Sequence, residues 1–401
     1  MTEPQPDATI PASFDVVYPP SGPLRDGERV QLTGPKGRMN TIWLTAGEQF
    51  HSTNGSIAHD ELIGAPDGSV VVSTTGHSFL ALRPLLEDII LSMPRGAAVI
   101  YPKDAVQILA RADIRPGLRV VEAGVGSGAL SLWLLRALAG RGELHSFERR
   151  ADFADVARGN VASYFGGEPE NWRIHLGDLG EQLPKKCPPA SVDRVVLDML
   201  APWDCLDAVT EALIPGGVLV CYVATATQLS RVAEAIRATG VYTTPSADET
   251  MIRGWHLEGL AVRPEHRMVG HTGFLLTARR LAPNTQTPQQ TPRANKAVGS
   301  SVDWEAWTPS DPAAWTEQAV GVRTVSDKVL RKRAREAQRA AARAVAAAVI
   351  ANGEKQADTG GGAIAEPATL PVAPRPDTMT SAADPVNGET DERTTENGDS
   401  Q

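Results

Sequence analysis

The stretch VVEAGVGSGAL, residues 120–130, constrains this 401-residue chain more than any other. A β-branched run leads into Gly124, Gly126 and Gly128, and a helical pattern follows at once, with Leu130, Leu134 and Leu138 four residues apart. Glycines at alternate positions let the backbone approach a ligand closely. A single glycine turn between strand and helix is common, whereas three in alternation point to a nucleotide-like ligand. The motif sits in a longer alternation. RVVEAGV, ELHSFE, WRIHLGD, DRVVLDM and VLVCYVAT read as strands, with helical segments between them, from Arg119 to Arg280. Short strands alternating with helices form a parallel, doubly wound α/β sheet of Rossmann type.

The choice of ligand stays open at the glycines alone. With Ala129 in sixth place the run also satisfies the dinucleotide fingerprint G-x-G-x-x-[G/A]. Glu148 ends the second strand and suits a ribose in either case. Three other acids favour S-adenosylmethionine. Glu122, two residues before Gly124, would oppose a pyrophosphate but suits a cationic amino-acid cofactor. Asp178 ends the third strand, where a carboxylate can accept from an adenine amino group. Asp198 ends the fourth, followed by Pro202 and Trp203. Carboxylates at these strand ends face the crevice where such sheets bind ligands. Each acid also has a plainer reading, as a helix-start charge, a turn residue or a cap. A dinucleotide-dependent oxidoreductase therefore remains an alternative.

Composition bounds the rest. Residues 352–401 carry ten acidic and three basic side chains, so the net charge of −9 is mostly this tail. The remainder is near neutral, which leaves a nucleic-acid partner open. Three cysteines, Cys187, Cys205 and Cys221, have no metal-ligand spacing and suit a reducing compartment. No apolar run approaches the roughly 18 residues of a membrane span, and MTEPQPDATIPASF lacks the features of a secretory signal. A soluble cytoplasmic protein is the expectation. Residues 1–14 read as disordered and 15–80 as a small β-rich domain, a barrel or meander of short runs broken by Gly, Pro and Asp. Two helical patterns follow, LRPLLEDIILSM and YPKDAVQILARADI, in a region 81–283 that includes the α/β alternation. Residues 284–326 read as a polar linker with a Trp cluster (Trp304, Trp307, Trp315), 327–351 as an Ala/Arg helix and 352–401 as a disordered acidic tail.

Several stretches together give the chain a family resemblance. They are IAHDELIG, SFLALRPLLEDIILSMPRGAAVIYPKDAVQIL, VVEAGVGSGAL, the DMLAPW segment and WHLEGLAVRPEHRMVGHTGFLLTARR. Over roughly residues 15–283 the chain resembles the tRNA (adenine-58, N1)-methyltransferase family. The resemblance implies a Rossmann-like class I methyltransferase sheet behind an N-terminal β domain that helps hold tRNA. It implies a cytoplasmic homotetramer that moves a methyl group from S-adenosylmethionine to N1 of an adenine in the T-loop, with no metal. It further implies that Gly124, Val125, Gly126, Ser127 and Gly128 wrap the cofactor's amino-acid end. By the same resemblance Glu148 binds the ribose, Asp178 and Leu179 face the adenine, and Val99, Ile100 and Tyr101 close over the methionine moiety. Asp198 would meet the target base at the cofactor's edge. Beyond Pro283 the resemblance is silent.

Adenine N1 carries no proton, so positioning outranks base catalysis in such a reaction. Tyr101 and Trp203 are candidate platforms for an extruded base, or simply core. Lys36 and Arg38 suit a phosphate contact or a solvated turn. From Arg323 to Arg343 eight basic residues stand against Asp327 and Glu336, and Arg331, Arg335, Arg339 and Arg343 form one stripe. Ser326 suits the start of that helix and Gly353 its end. Leu330, Ala334, Ala337, Ala341 and Val345 make a second, weakly apolar face. A solvated helix on a tether is the foremost expectation, an Ala-seamed contact with another subunit or a contact with tRNA phosphates the others. Whichever of these holds, a chain ending near Pro283 is expected to fold and stay active, because every candidate site residue lies before it. Two further alternatives remain for the whole chain: a non-catalytic tRNA-binding subunit, and a methyltransferase with another substrate.

Overall fold

The computed structural model describes residues 21–96, 98–285 and 325–358. The expected disorder of residues 1–14, the Trp cluster and the tail beyond 358 lie outside the described residues. Contacts divide the chain after Lys355, and the architecture below belongs to the unit that ends there.

The N-terminal region has six strands: β1 Arg29–Thr33, β2 Met39–Trp43, β3 Gln49–Ser52, β4 Gly55–Ala58, β5 Ser69–Val72 and β6 Ser78–Leu82. Four of them form an antiparallel sheet in the order β2-β1-β6-β5, with β3 and β4 as a separate hairpin. β6 returns to pair with β1, so the sheet is not the simple meander that the strand spacing suggests. Val30 and Leu32 alternate inward along β1 and pack with Leu24, Leu44, Ile57 and Phe79 into a core of their own.

Helices α1 Leu86–Ser92 and α2 Pro102–Arg111 lead to the second sheet. Its elements are β7 Arg119–Ala123, α3 Ala129–Leu138, β8 Glu143–Glu148, α4 Ala151–Phe165, β9 Trp172–Leu176, α5 Leu179–Lys186, β10 Val192–Asp198, α6 Leu206–Ala212, β11 Leu213–Val223, α7 Ala226–Thr239, β12 Ser246–Asp248, β13 Trp255–Glu258, β14 Ala261–Pro264 and β15 Phe274–Arg279. The seven-stranded order is β12-β15-β11-β10-β7-β8-β9, and β13 and β14 stand apart from it as a hairpin. β11, β10, β7, β8 and β9 are parallel, β15 runs against them, and β12, antiparallel to β15, returns to their direction. Parallel strands covered on both faces read as continuous apolar runs, as VVLD and VLVCYV do. Successive residues feed opposite layers: Val120 packs with Leu130, Leu134 and Leu138 of α3, Val121 with Val195, Leu197 and Leu206. Full burial of one such side chain stabilises the fold by about 1.5–3 kcal/mol. The chain crosses from one side of β7 to the other between β9 and β10, which opens a crevice at the carboxyl ends of β7 and β10.

The last helix, α8, spans Asp327–Asp358 and so runs past Gly353. It is not a free helix on a tether. Leu330 and Ala337 are fully buried and Ala340 nearly so. A Cβ on Gly159 of α4 would lie 2.6 Å from the Ala337 Cβ, and one on Gly96 would lie 2.6 Å from the Leu330 side chain. Further along, Ala348 faces Gly166 and Ala347 faces Gly27. The contacts rise together in both helices, so α8 lies parallel to α4 and reaches the β domain. The sequence shows the weakly apolar face but not its partner, because glycine and alanine faces have almost no hydropathy contrast and the fit is steric.

Candidate active site

β7 ends at Ala123, and the chain turns through Gly124, Gly126 and Gly128, with φ of +86°, +54° and +80°. Such angles favour glycine, and α3 starts directly after. The turn is anchored on Glu148. One oxygen of its carboxylate accepts from Gly126 N and the other from Arg150 N, each at 3.0 Å. Lone pairs remain for hydroxyl donors, since an ionised carboxylate has about four acceptor sites.

The crevice encloses about 380 Å³ and is lined by Val99, Ile100, Tyr101, Gly124, Gly126, Glu148, Asp178, Leu179 and Asp198 among others. Nine of the residues named from sequence therefore converge on one cavity, of a size suited to a small cofactor. The Asp178 side chain also caps α5, accepting from Gly180 N at 2.8 Å. Its plain reading as a cap and its place on the crevice wall hold together. Burial, and then the charge of Glu148, push the Asp198 carboxyl up to about 7.

Four of the named residues are not on the crevice wall: Glu122, Val125, Ser127 and Gly128. Glu122 points into the protein. Ser131 and Ser146 both donate to one of its oxygens at 2.7 Å, and Trp172 donates to Ser146. Burial raises its carboxyl to about 7, against the opposing pull of the two serines. An acid at this strand position lies on the α3 side because side chains alternate along β7. Ser127 works at one remove. Its hydroxyl accepts from Gly96 N at 3.0 Å, and Asn160 donates to both Pro94 O and Ser127 O. These bonds tie the glycine turn to the segment that leads into Val99–Tyr101. Trp203 packs on the opposite core layer with the Arg231 guanidinium 4.5 Å over its ring, and it does not line the crevice. Lys36 and Arg38 lie at the surface of the β domain turn.

Sequence reasoning missed a second group at the site. Lys103 and Asp104 open α2 almost fully buried, in an ion pair of 2.7 Å. Asp104 also accepts from Tyr222 and Thr272, both on the crevice wall. Gln228 caps α7 and donates to Leu200 O at 2.9 Å, holding the loop after Asp198. The signal was present in YPKD: adjacent opposite charges among apolar residues at a helix start imply a buried pair with further partners.

The donor set fits S-adenosylmethionine. Glu148, Asp178 and Asp198 present acceptors to one cavity, matching ribose hydroxyls, an adenine amine and a cationic centre. A pyrophosphate would meet three carboxylates there. Among the described residues no group of three or more His, Cys, Asp or Glu is gathered as metal ligands.

A Rossmann-like sheet with a glycine turn and acidic strand ends around one crevice defines a methyltransferase. Comparison narrows the class. Residues 22–71 match the TrmI-like N-terminal model, and residues 79–257 match that of the tRNA methyltransferase complex GCD14 subunit. The chain is 37% identical over 253 residues to the tRNA (adenine(58)-N(1))-methyltransferase TrmI of Thermus thermophilus, covering 62% of this chain and 95% of that protein. It is 32% identical over 237 residues to the Methanocaldococcus jannaschii tRNA (adenine(57)-N(1)/adenine(58)-N(1))-methyltransferase TrmI, covering 53% of this chain and 82% of that one. The crystal structure of the tRNA (m1A58) methyltransferase TrmI from Aquifex aeolicus superposes with a TM-score of 0.57 at 27% identity, over 65% of this chain and 99% of that one. A SAM-dependent O-methyltransferase from Thermotoga maritima gives 0.61, also at 27% identity, over 66% and 96%. The chain belongs to the tRNA (adenine-58, N1)-methyltransferase family.

Proposed function

We propose that this protein methylates N1 of adenine 58 in tRNA, using S-adenosylmethionine held in the crevice. The observation that carries the reading is the convergence of Glu148, Asp178 and Asp198 on one cavity beside the glycine turn. Bound S-adenosylmethionine would supply an electrophilic methyl group on a positively charged sulfur. Glu148 accepts from the ribose hydroxyls, Asp178 and Leu179 face the adenine of the cofactor, and Val99 and Ile100 cover its methionine end and exclude water.

Asp198 acts on the substrate. N1 attacks with a free lone pair, so no base is required first, and alignment at roughly 3–3.5 Å dominates. The methylated adenine becomes cationic. A carboxylate accepting from the exocyclic amine strengthens as that charge grows, which is stabilisation specific to the transition state. The carbonyl of guanine would oppose the same carboxylate. N1 lies on the pairing edge, so the base must leave its stack. Tyr101, on the crevice wall and 41% exposed, offers a face for it.

The same reading makes the protein cytoplasmic, where tRNA is, and a homotetramer. No helix among the described residues is long and apolar enough to cross a membrane. Self-association is supported by the β13–β14 hairpin, which exposes Trp255, Leu257, Leu260 and Val262. Contiguous apolar surface of this kind marks interaction sites.

The test is mass spectrometry of unmodified tRNA transcripts incubated with protein and isotopically labelled S-adenosylmethionine. The expected product is labelled 1-methyladenosine at position 58, with none from a transcript carrying guanine there. Label in another nucleoside, or no label, overturns the reading.

A further inference from the structure

We infer that the outward face of α8 is a binding rail for the sugar-phosphate backbone of RNA, built onto the catalytic body. The inference rests on the tRNA reading above and extends it to a surface that the family core lacks.

Docking gives α8 two unlike faces. Inward lie Leu330, Ala337 and Ala340, packed on the glycines of α4 and on Gly96. Outward lie Lys328, Arg331, Lys332, Arg335, Arg339 and Arg343, all exposed, while Arg333, also exposed, flanks the docked stripe. Lys332 and Arg333 share Glu336, at 3.8 and 3.1 Å. Lys328, Arg335, Arg339 and Arg343 form no ion pair among the described residues. A solvated face that only needed solubility could mix signs along its length, since Glu–Lys or Glu–Arg pairs four apart add helix stability. Here Glu336 is the one outward acid between Lys328 and Arg343.

Placement adds the second argument. Leu330 touches Gly96, and the same glycine faces Phe153, which lines the crevice. Seventeen residues on, Ala347 meets Gly27, beside β1 of the N-terminal domain. At 1.5 Å per residue the basic face spans about 22 Å from Lys328 to Arg343, with Arg335, Arg339 and Arg343 about 6 Å apart. It thus runs from the crevice side of the molecule to the β domain, held rigidly by α4. A fixed row of cations of this length, with no ion-pair partner among the described residues, fits a polyanion backbone. Its contacts would be charge contacts, indifferent to base sequence.

The experiment measures tRNA affinity against salt for the full chain and for the variant K328Q/R335Q/R339Q/R343Q, with cofactor affinity read by calorimetry. Each phosphate contact contributes about 0.7–0.9 to the slope of log affinity on log salt. The slope should fall by about 3, with cofactor affinity unchanged. The variant R335K/R339K/R343K should keep the wild-type slope, which separates charge from any loss of folding. Wild-type protein that methylates tRNA, together with a quadruple variant of unchanged slope, overturns the rail alone. Wild-type protein that neither binds nor methylates tRNA overturns the parent reading with it.

Discussion

A Cβ on Gly124 would lie 1.7 Å from the backbone oxygen of Asp198. The turn after β7 and the end of β10 are thus in backbone contact, and φ at Gly124 is +86°. Gly124→Ala must push the two strand ends apart and strain its own backbone. We expect cofactor binding to be lost and the melting temperature to drop. Calorimetric titration with unaltered affinity would contradict this coupling of turn and strand.

Glu148→Gln tests the ribose contact. The amide keeps one acceptor oxygen, but its other end faces an N–H donor, either that of Gly126 or that of Arg150. Hydrogen bonds to a charged group are worth about 1.5–3 kcal/mol, so cofactor affinity should fall at least tenfold. Unchanged affinity would remove Glu148 from the cofactor site.

The pH dependence follows from Asp198. Burial and the Glu148 charge raise its carboxyl to about 7, so it is protonated below that pH in the free protein. The charged form is the acting one, so kcat/KM should climb through about pH 7 and level off above about pH 8. The same shift affects stability. Between its unfolded value near 4 and about 7, the folded protein holds a proton that the unfolded chain has released, so stability falls as pH rises. Asp198→Asn should flatten that fall between pH 5 and 7.5, measured as denaturant midpoints against wild type. Glu122, also raised to about 7, retains its own share in the variant.

The docking of α8 revises the expectation for a shortened chain. A chain ending at Pro283 keeps every described strand and every crevice residue, yet it exposes the face of α4 that Ala337 covers. It should fold but melt lower, by roughly 2–4 °C for each kcal/mol lost. Gly159→Ala is the sharper probe. Alanine is the better helix former by about 1 kcal/mol, but its Cβ would meet the Ala337 Cβ at 2.6 Å. The clash prevails, and α8 should become a trypsin target at its many arginines. Wild-type resistance in the variant would contradict the docking.

The sheet and crevice were legible because their signals are local. Strand runs, glycines at alternate positions and acids at strand ends each fall within a few residues. Glu122 misled because its spacing from Gly124 says nothing about which side of the strand it takes. Lys103 and Asp104 were passed over because their partners Thr250, Thr272 and Tyr222 are more than a hundred residues away. The weakly apolar face of α8 was legible, but its partner was not, because Gly159 against Ala337 is shape without hydropathy contrast.

On the proposed mechanism Asp198 stabilises charge developing on the target base. The most direct test of this role is the single-turnover methylation rate of Asp198→Asn at saturating cofactor and tRNA, with cofactor affinity measured in parallel. The amide keeps an acceptor oxygen and loses the charge. The rate should fall by about 10²–10³, the range for removing one preorganised polar partner, with cofactor affinity nearly intact. An Asn variant that turns over at the wild-type rate would contradict this role.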